Sequence, residues 1–304
     1  MDRLAAKRDN LRLRARIIRL IRDFFACRNY LEVDTPNRIP APAPEAHIDA
    51  VPSGNWFLHT SPELCMKRLL ASGYTRIFQI CKCYRGSERG DRHLPEFTML
   101  EWYRAGADYR DLMAECEDLV IDLAGMLERG KRILFRGKWI ALEKPWERIT
   151  VRDAFSRYSP VSLKDALAAG SFDEVMAFEI EARLPKDRPV FLYDYPVSLG
   201  ALAREGRNDP SVAERFELYL GGMELVNAFS ELRDPDEQRR RFELEKKCRE
   251  LRGAAVYPDP VGFLECLSGM PESAGAALGM DRLVMIFCNA ESIDDVVAFT
   301  PEEL

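Results

Sequence analysis

Between residues 10 and 28 the segment NLRLRARIIRLIRDFFACR sets Leu11, Ala15, Ile18, Ile21 and Phe25 on one stripe and fills most other positions with charge. Apolar residues three and four apart stack on one side of a helix, so the pattern predicts an amphipathic helix. The period then changes. NYLEVDTP (29–36) alternates and predicts a strand ending at Pro36. TSPELCMKRLLASG (60–73) carries helix signals, with Ser61 before Pro62 at its start and Gly73 at its end. YTRIFQICKCYRG (74–86) reads as a strand, followed by the turn-rich GSERGDRHLP (86–95). A second strand lies in RHLPEFTMLEWY (92–103), and a long helix follows from about residue 109 to 129.

Residues 131–150 predict a hairpin turning at Gly137-Lys138, and 150–187 mostly short helices. PVFLYDYP (189–196) predicts a strand. ERFELYLGGMELVNAFSEL (214–232) predicts two strands joined through Gly221-Gly222. DPDEQRRRFELEKKCRELRG (234–253) predicts a charged, exposed helix, and GAALGMDRLVMIFCN (275–289) a Gly-spaced strand running into a helix. Strands in hairpin order with helices grouped between them predict an α+β fold, a mainly antiparallel sheet flanked by helices.

Composition narrows the class. At 304 residues and 47% apolar the chain can bury a sizeable core. No linker or low-complexity run divides it, the proline cluster at 36–54 coming closest, so residues 1–304 are expected to form one domain. The first thirty residues lack the apolar core of a signal peptide, and no apolar run nears the length of a membrane span. A cytoplasmic protein without a membrane partner is expected. The net charge of −6 hides a basic start, nine Arg and Lys against three Asp in residues 1–28. That helix suits a nucleic acid or an acidic protein, and a solvated face explains it as well. The eight cysteines form no CxxC pair, and only three histidines are present. Reduced thiols are the simpler expectation than zinc or disulfides, with Cys81 and Cys83 as two small residues on one strand face.

Alternation then sorts the polar residues. Phe97, Met99, Glu101 and Tyr103 share one strand face, and Thr98, Leu100 and Trp102 the other. Asn227, Phe229 and Glu231 likewise share a face. One such strand would be an ordinary surface strand; two, each backed by an apolar face, predict a polar cavity with aromatic walls. Carboxylates in a cavity require a cation, an ammonium or a metal. Glu217 and Glu224 are brought close by the Gly-Gly turn and repel unless one is protonated or a cation such as Mg²⁺ lies between them. Strict alternation puts Glu224 and Asn227 on opposite faces, so a common site demands a bulge near residues 225–226. Arg85 at a strand end and Arg282 at a helix start suit phosphate. Glu63 has a structural alternative, since Thr60-x-x-Glu63 fits a capping box.

FFACRNYLEVDTP (24–36), CYRGSERGDRHLPEFTMLEWY (83–103) and GAALGMDRLVMIF (275–287) resemble, in order, motifs 1, 2 and 3 of the class II aminoacyl-tRNA synthetases. TSPELCMKRLL and ERFELYLGGMELVNAFSEL narrow the resemblance to the lysyl branch. Motif 1 begins almost at the first residue, so a free-standing catalytic domain without the N-terminal anticodon-binding OB domain of a lysyl-tRNA synthetase is expected. The chain therefore resembles the truncated paralogues of that enzyme that modify elongation factor P, the elongation factor P–(R)-β-lysine ligase family. The resemblance implies an ATP-dependent ligase that adenylates (R)-β-lysine or lysine and passes it to a lysine ε-amine of elongation factor P.

It also implies roles. Arg85 and Arg282 would act on the ends of a bent triphosphate, with Phe97 stacked on adenine and His93 beside the phosphates. Gly86, Ser87, Leu94, Leu225 and Gly279 would complete the ATP site, and Glu217 and Glu224 would hold Mg²⁺. Ser61, Pro62, Glu63, Glu101, Tyr103, Asn227, Phe229, Glu231 and Ala277 would surround the amino acid. Ala277 stands where lysyl-tRNA synthetases usually have Gly, and a methyl there gives about 1–3 kcal/mol of discrimination between lysine isomers. Motif 2 departs from the family's Arg-x-Glu: here Arg85-Gly86-Ser87 puts Glu88 one place late, so Ser87 or Glu88 substitutes, or nucleotide affinity falls. Residues 11–36 would form a homodimer interface. The expected lack of that domain and the modest charge argue against tRNA. The alternatives are a tRNA-charging or dinucleotide-polyphosphate-forming fragment and a non-catalytic paralogue.

Overall fold

The computed structural model describes residues 3–304; Met1 and Asp2, the first residues of the basic segment, lie outside the described residues. Its centre is an eight-stranded sheet. In chain order the strands are β1 (Leu31–Glu32), β2 (Arg76–Tyr84), β3 (Glu96–Ala105), β4 (Glu147–Thr150), β5 (Val190–Pro196), β6 (Val212–Leu220), β7 (Met223–Ser230) and β8 (Ser273–Gly279). Across the sheet they run β1-β2-β3-β8-β7-β6-β5-β4. The inner pairs are antiparallel, as hairpin order predicts, whereas β1–β2 and β4–β5 at the edges are parallel. With helices packed on the sheet this is the α+β arrangement expected.

One face of the sheet, with Leu100 and Trp102, packs against the helices Arg8–Ala26, Tyr109–Met126 and Met280–Cys288 in the main apolar core. The first of these is rotated from its expected stripe. Ile17, Ile21, Phe24 and Phe25 are buried, Leu11 and Ile18 are half-buried, and Ala15 is exposed. Phe25 sets the rotation: its ring stacks on Phe78 at 4.8 Å and lies 5.5 Å from Trp102. The helix from residue 109 starts on a capping box between Asp108 and Asp111 and ends at Met126.

The expected 131–150 hairpin is shorter, Arg132–Phe135 with Lys138–Ala141. Its turn is Arg136-Gly137, both at positive φ (48° and 73°), the combination a two-residue turn between twisted strands demands. Residues 147–150 leave it to become β4. The Gly221-Gly222 turn joins β6 to β7 as expected, at φ 62° and 77°. A bulge is present where the shared site required one. Leu218 opposes Val226 while Tyr219 opposes Glu224, so Leu225 is the extra residue and Glu224, Asn227 and Phe229 emerge on one side.

The charged helix Pro235–Leu251 is not wholly exposed. Arg249 is fully buried, its guanidinium donating to the carbonyls of Glu45 and Ile48, to Tyr257 and to Asp49 at 2.7–2.8 Å. These hydrogen bonds are what allow the charge to be buried. It also pins the proline-rich segment beside the sheet. No helix among the described residues is long and apolar enough to cross a membrane.

Candidate functional site

The second face of the sheet closes a cavity of about 270 Å³ with the segments around residues 45–48, 61–63, 85–94 and 201–202. Its acidic end is built on β3. Glu101 is buried, and its two carboxylate oxygens accept from Ser61 Oγ at 2.5 Å and from the Tyr103 hydroxyl at 3.0 Å. Ser61 Oγ also accepts from the Glu63 backbone N–H at 2.9 Å. The alternative for Glu63, a Thr60–Glu63 capping box, is not formed: Ser61 satisfies the helix start, Pro62 occupies the N-cap position, and the Glu63 carboxylate is left for Lys67 Nζ at 2.6 Å.

Lys67 is the first residue the sequence reading missed. It is 1% exposed, lies 2.5 Å from Glu231 as well, and has the rings of Phe229 and Phe263 at 4.9 and 5.9 Å. Two carboxylates, Glu63 and Glu231, thus share the Lys67 ammonium, while Glu101 is held by Ser61 and Tyr103. Burial, then the charge of Glu63, pushes the Glu101 carboxyl well above its ordinary range. Burial also pushes Glu231 up to about 8 against the pull of Lys67. For Lys67 burial acts downward, and Glu231 and Glu63 outweigh it, so the ammonium is held above its ordinary value. Gly275 permits this packing. A Cβ there would run into the Tyr103 ring and the Glu231 carboxylate, and Gly275 pairs directly with Tyr103 across the sheet.

In the middle of the cavity Ala277 sits in register between Glu101 on one side and Asn227 on the other. Asn227 Oδ1 accepts from Arg215 Nε at 3.2 Å. Arg215, also missed, shares a strand face with Glu217, and the alternation rule applied two residues upstream would have found it. Glu45 lines the cavity too, with burial raising its carboxyl to about 7 and Arg85 opposing. Nothing in its proline-rich surroundings signals this position.

The other end is basic and half-exposed. Arg85 Nη1 lies 3.3 Å from Glu88, and its guanidinium lies 5.1 Å from the Phe97 ring centre. Arg282 donates to the Glu224 carbonyl at 2.9 Å, to its carboxylate at 3.2 Å, and to His93 Nε2 at 2.5 Å. Partial burial of its ring, then the charge of Arg282, holds His93 below its ordinary value, so Nε2 is free to accept. Asp281 fixes the start of this helix, accepting from the Thr98 N–H at 2.7 Å and pairing with Arg14 at 2.5 Å. Leu94, Leu225 and Gly279 line this end. A Cβ at Gly279 would meet only the Arg282 side chain, at 3.5 Å, so no protein contact demands glycine there.

Five of the expected residues stand outside the lining. Pro62 caps a helix, and Glu231 lies behind Gly275. Gly86 and Ser87 are tied to Asp49, at 2.8 and 3.2 Å, while Glu88 lines the cavity, so the late Glu and not the Ser faces it. Glu217 accepts from Arg215 and from the Tyr219 hydroxyl, both at 2.7 Å. Burial, then Glu224, raises its carboxyl. A third carboxylate, Glu181, is pushed to about 7 by burial and then by Glu217; it comes from an irregular helical segment that carries no sequence signal for a site. Carboxylates clustered in this way suit a divalent cation. The cavity as a whole can take a molecule with ammonium groups at one end and phosphates at the other.

The family model described as class II tRNA synthetases (D, K and N) matches residues 2–303. Among curated proteins, the elongation factor P–(R)-β-lysine ligase of Enterobacter sp. (strain 638) is 39% identical, over 96% of this chain and 94% of its own. The proteins of the same name from Vibrio atlanticus and Salmonella gallinarum are each 38% identical, over 97% and 96% of this chain and 96% and 94% of their own.

Proposed function

The chain belongs to the class II tRNA synthetase family, among the relatives named elongation factor P–(R)-β-lysine ligase, and from that premise we propose that it is an ATP-dependent amino-acid–protein ligase. It adenylates (R)-β-lysine or lysine and transfers the aminoacyl group to a lysine ε-amine of elongation factor P. The observation that carries this reading is the continuity of one cavity from the acidic Glu63–Glu101–Tyr103 end to the Arg85–His93–Arg282 end. An amino acid with two ammonium groups supplies the charge that the lining carboxylates Glu63 and Glu101 lack, and a triphosphate supplies that of the arginines.

In the first step an oxygen of the amino-acid carboxylate attacks the α-phosphorus of ATP, the bond to the bridging oxygen breaks, and pyrophosphate leaves. Arg85 and Arg282 exchange their contacts with Glu88 and Glu224 for the phosphates and stabilise the developing charge. Phe97 offers its ring to adenine. Glu217 and Glu224 would hold Mg²⁺, which neutralises phosphate charge when bound. In the second step the ε-amine attacks the carbonyl carbon of the mixed anhydride, AMP leaves, and the proton of the amine passes to solvent. No protein nucleophile is required. Residues 11–36, with Leu31 half-exposed and Ala15 exposed, are read as a homodimer interface, and a monomer in sedimentation at micromolar concentration would contradict this.

The test is direct. Purified protein is incubated with ATP, elongation factor P and each lysine isomer, and the mass of elongation factor P is measured alongside amino-acid-dependent exchange of pyrophosphate into ATP. A mass gain of one aminoacyl residue with at least one isomer is expected. No exchange with any isomer would sink the proposal; exchange without a mass gain would leave an adenylating enzyme with another acceptor.

A further inference from the structure

The reaction above leaves unused the one group, among the described residues, in which three His, Cys, Asp or Glu side chains bring their ligand atoms within 4.8 Å of one another: His59, Cys81 and Cys83. The two cysteines alternate along β2, so their sulfurs share a face, 4.0 Å apart. His59 is 1% exposed and lies across them, with Nε2 4.0 Å from Cys83 Sγ and 2.7 Å from the Lys82 carbonyl. Met99, opposite Cys81 in the neighbouring strand, brings its thioether to 4.0 Å from Cys83 Sγ. The expectation of two small residues on a strand face accounts for the sulfurs alone. It does not account for the buried polar atoms beside them that have no hydrogen-bond partner, His59 Nδ1 and both amide atoms of Gln79, the preceding residue on the same face. Buried polar atoms are nearly always satisfied, by protein, water or ion.

We propose that His59, Cys81 and Cys83 form a binding site for Zn²⁺. Two thiolates and an imidazole are a soft donor set that selects Zn²⁺ or Cu(I). Charge separates the two. Zn²⁺ with two thiolates is neutral, whereas Cu(I) leaves one negative charge near Glu101, which pairs with Gln79 across the strands and is already buried among carboxylates. With Nε2 held by the Lys82 carbonyl, the nitrogen left to ligate is the unpartnered Nδ1, and a histidine whose second nitrogen is fixed by a backbone carbonyl is the usual form of a ligating one. The Met99 thioether and the Gln79 amide oxygen are the neutral neighbours available for a fourth position. The ion would tie the start of the Ser61–Glu63 segment to the sheet that carries Glu101, holding the acidic end of the cavity in shape. It stands whether or not the ligase reaction proposed above is correct.

The experiment uses the full chain, stripped with a chelator, dialysed and titrated separately with Zn²⁺ and with Co²⁺ as a spectroscopic probe. One Zn²⁺ bound per chain is expected, and a Co²⁺ complex with a thiolate-to-metal charge-transfer band that Zn²⁺ abolishes. Cys83→Ser should weaken Zn²⁺ binding by on the order of tenfold or more and remove the band. The wild-type spectrum decides even if the variant does not fold. Absence of stoichiometric Zn²⁺, or a Co²⁺ complex with no thiolate band because the metal sits on Glu217 and Glu224, would overturn the proposal.

Discussion

At the acidic end of the cavity Lys67 and Glu231 keep 1% and 0% of their side-chain surface, whereas at the basic end Arg85 and Arg282 keep 24% and 20%. The charges of the acidic end are locked into the sheet and the helix Glu63–Ala71, with an excess of carboxylate that burial resists. Those of the basic end sit on a loop and a helix start, in ion pairs that water can reach. The first arrangement resists reorganisation and selects its ligand by a charge deficit built in before binding. The second can surrender its internal pairs to a ligand at little cost, because half-exposed ion pairs contribute little to stability. Substitutions at the first should therefore damage the fold, and at the second the turnover.

The largest effect expected is that of Lys67→Met. It leaves Glu63 and Glu231 without their shared cation, and removing one partner of a buried pair costs about 3–5 kcal/mol. Because Glu231 can take a proton near pH 8, the loss read by urea unfolding should deepen above that pH. Next is Arg282→Ala, expected to slow amino-acid-dependent pyrophosphate exchange by on the order of 10²–10³-fold while changing the unfolding free energy by about 0.5 kcal/mol or less. If the two variants lost stability equally, the contrast between the ends would fail.

The same contrast governs what could be read without coordinates. Face alternation placed Glu101 beside Tyr103, and Asn227 beside Phe229 and Glu231, because a strand's period is a local property. Even the bulge at Leu225 was legible, from the conflict between Glu224 and Asn227. Lys67 was not, since a lysine on a short helix reads as solvated until Glu231, far along the chain, is brought to it. Arg249 escaped for the same reason, its partners at 45–49 lying some two hundred residues away. The parallel pairing of β1 with β2 and of β4 with β5 is likewise non-local, and so is the placing of His59 over Cys81 and Cys83. What remained illegible is buried charge and its distant partners, most of it at the acidic end.

Gly275→Ala sharpens the comparison at smaller amplitude. The added methyl meets the Tyr103 ring and the Glu231 carboxylate, both buried and both fixed by neighbours. Overpacking of this kind costs about 1–3 kcal/mol. In exchange assays the variant should raise KM for the amino acid more than KM for ATP, since the clash lies at one end only. Equal changes in the two would mean that the ends are mechanically coupled and not separately built.

The smallest effect tests whether surplus carboxylate is confined to the acidic end. Glu181, beside Glu217 and Glu224, has a folded value near 7 against an ordinary 4.5. Between those values the folded chain keeps a proton that the unfolded chain has released, so this group's contribution to stability falls as pH rises from about 5 to 7. Glutamine is neutral throughout. Glu181→Gln should therefore melt like the wild type near pH 5 and at a higher temperature near pH 8. Adding Mg²⁺ should narrow the gap at pH 8, because a bound cation favours the ionised carboxylates of the wild type. Melting curves that stay parallel across the pH range would show that Glu181 is relaxed by solvent, and that only the buried end of the cavity stores charge against its ligand.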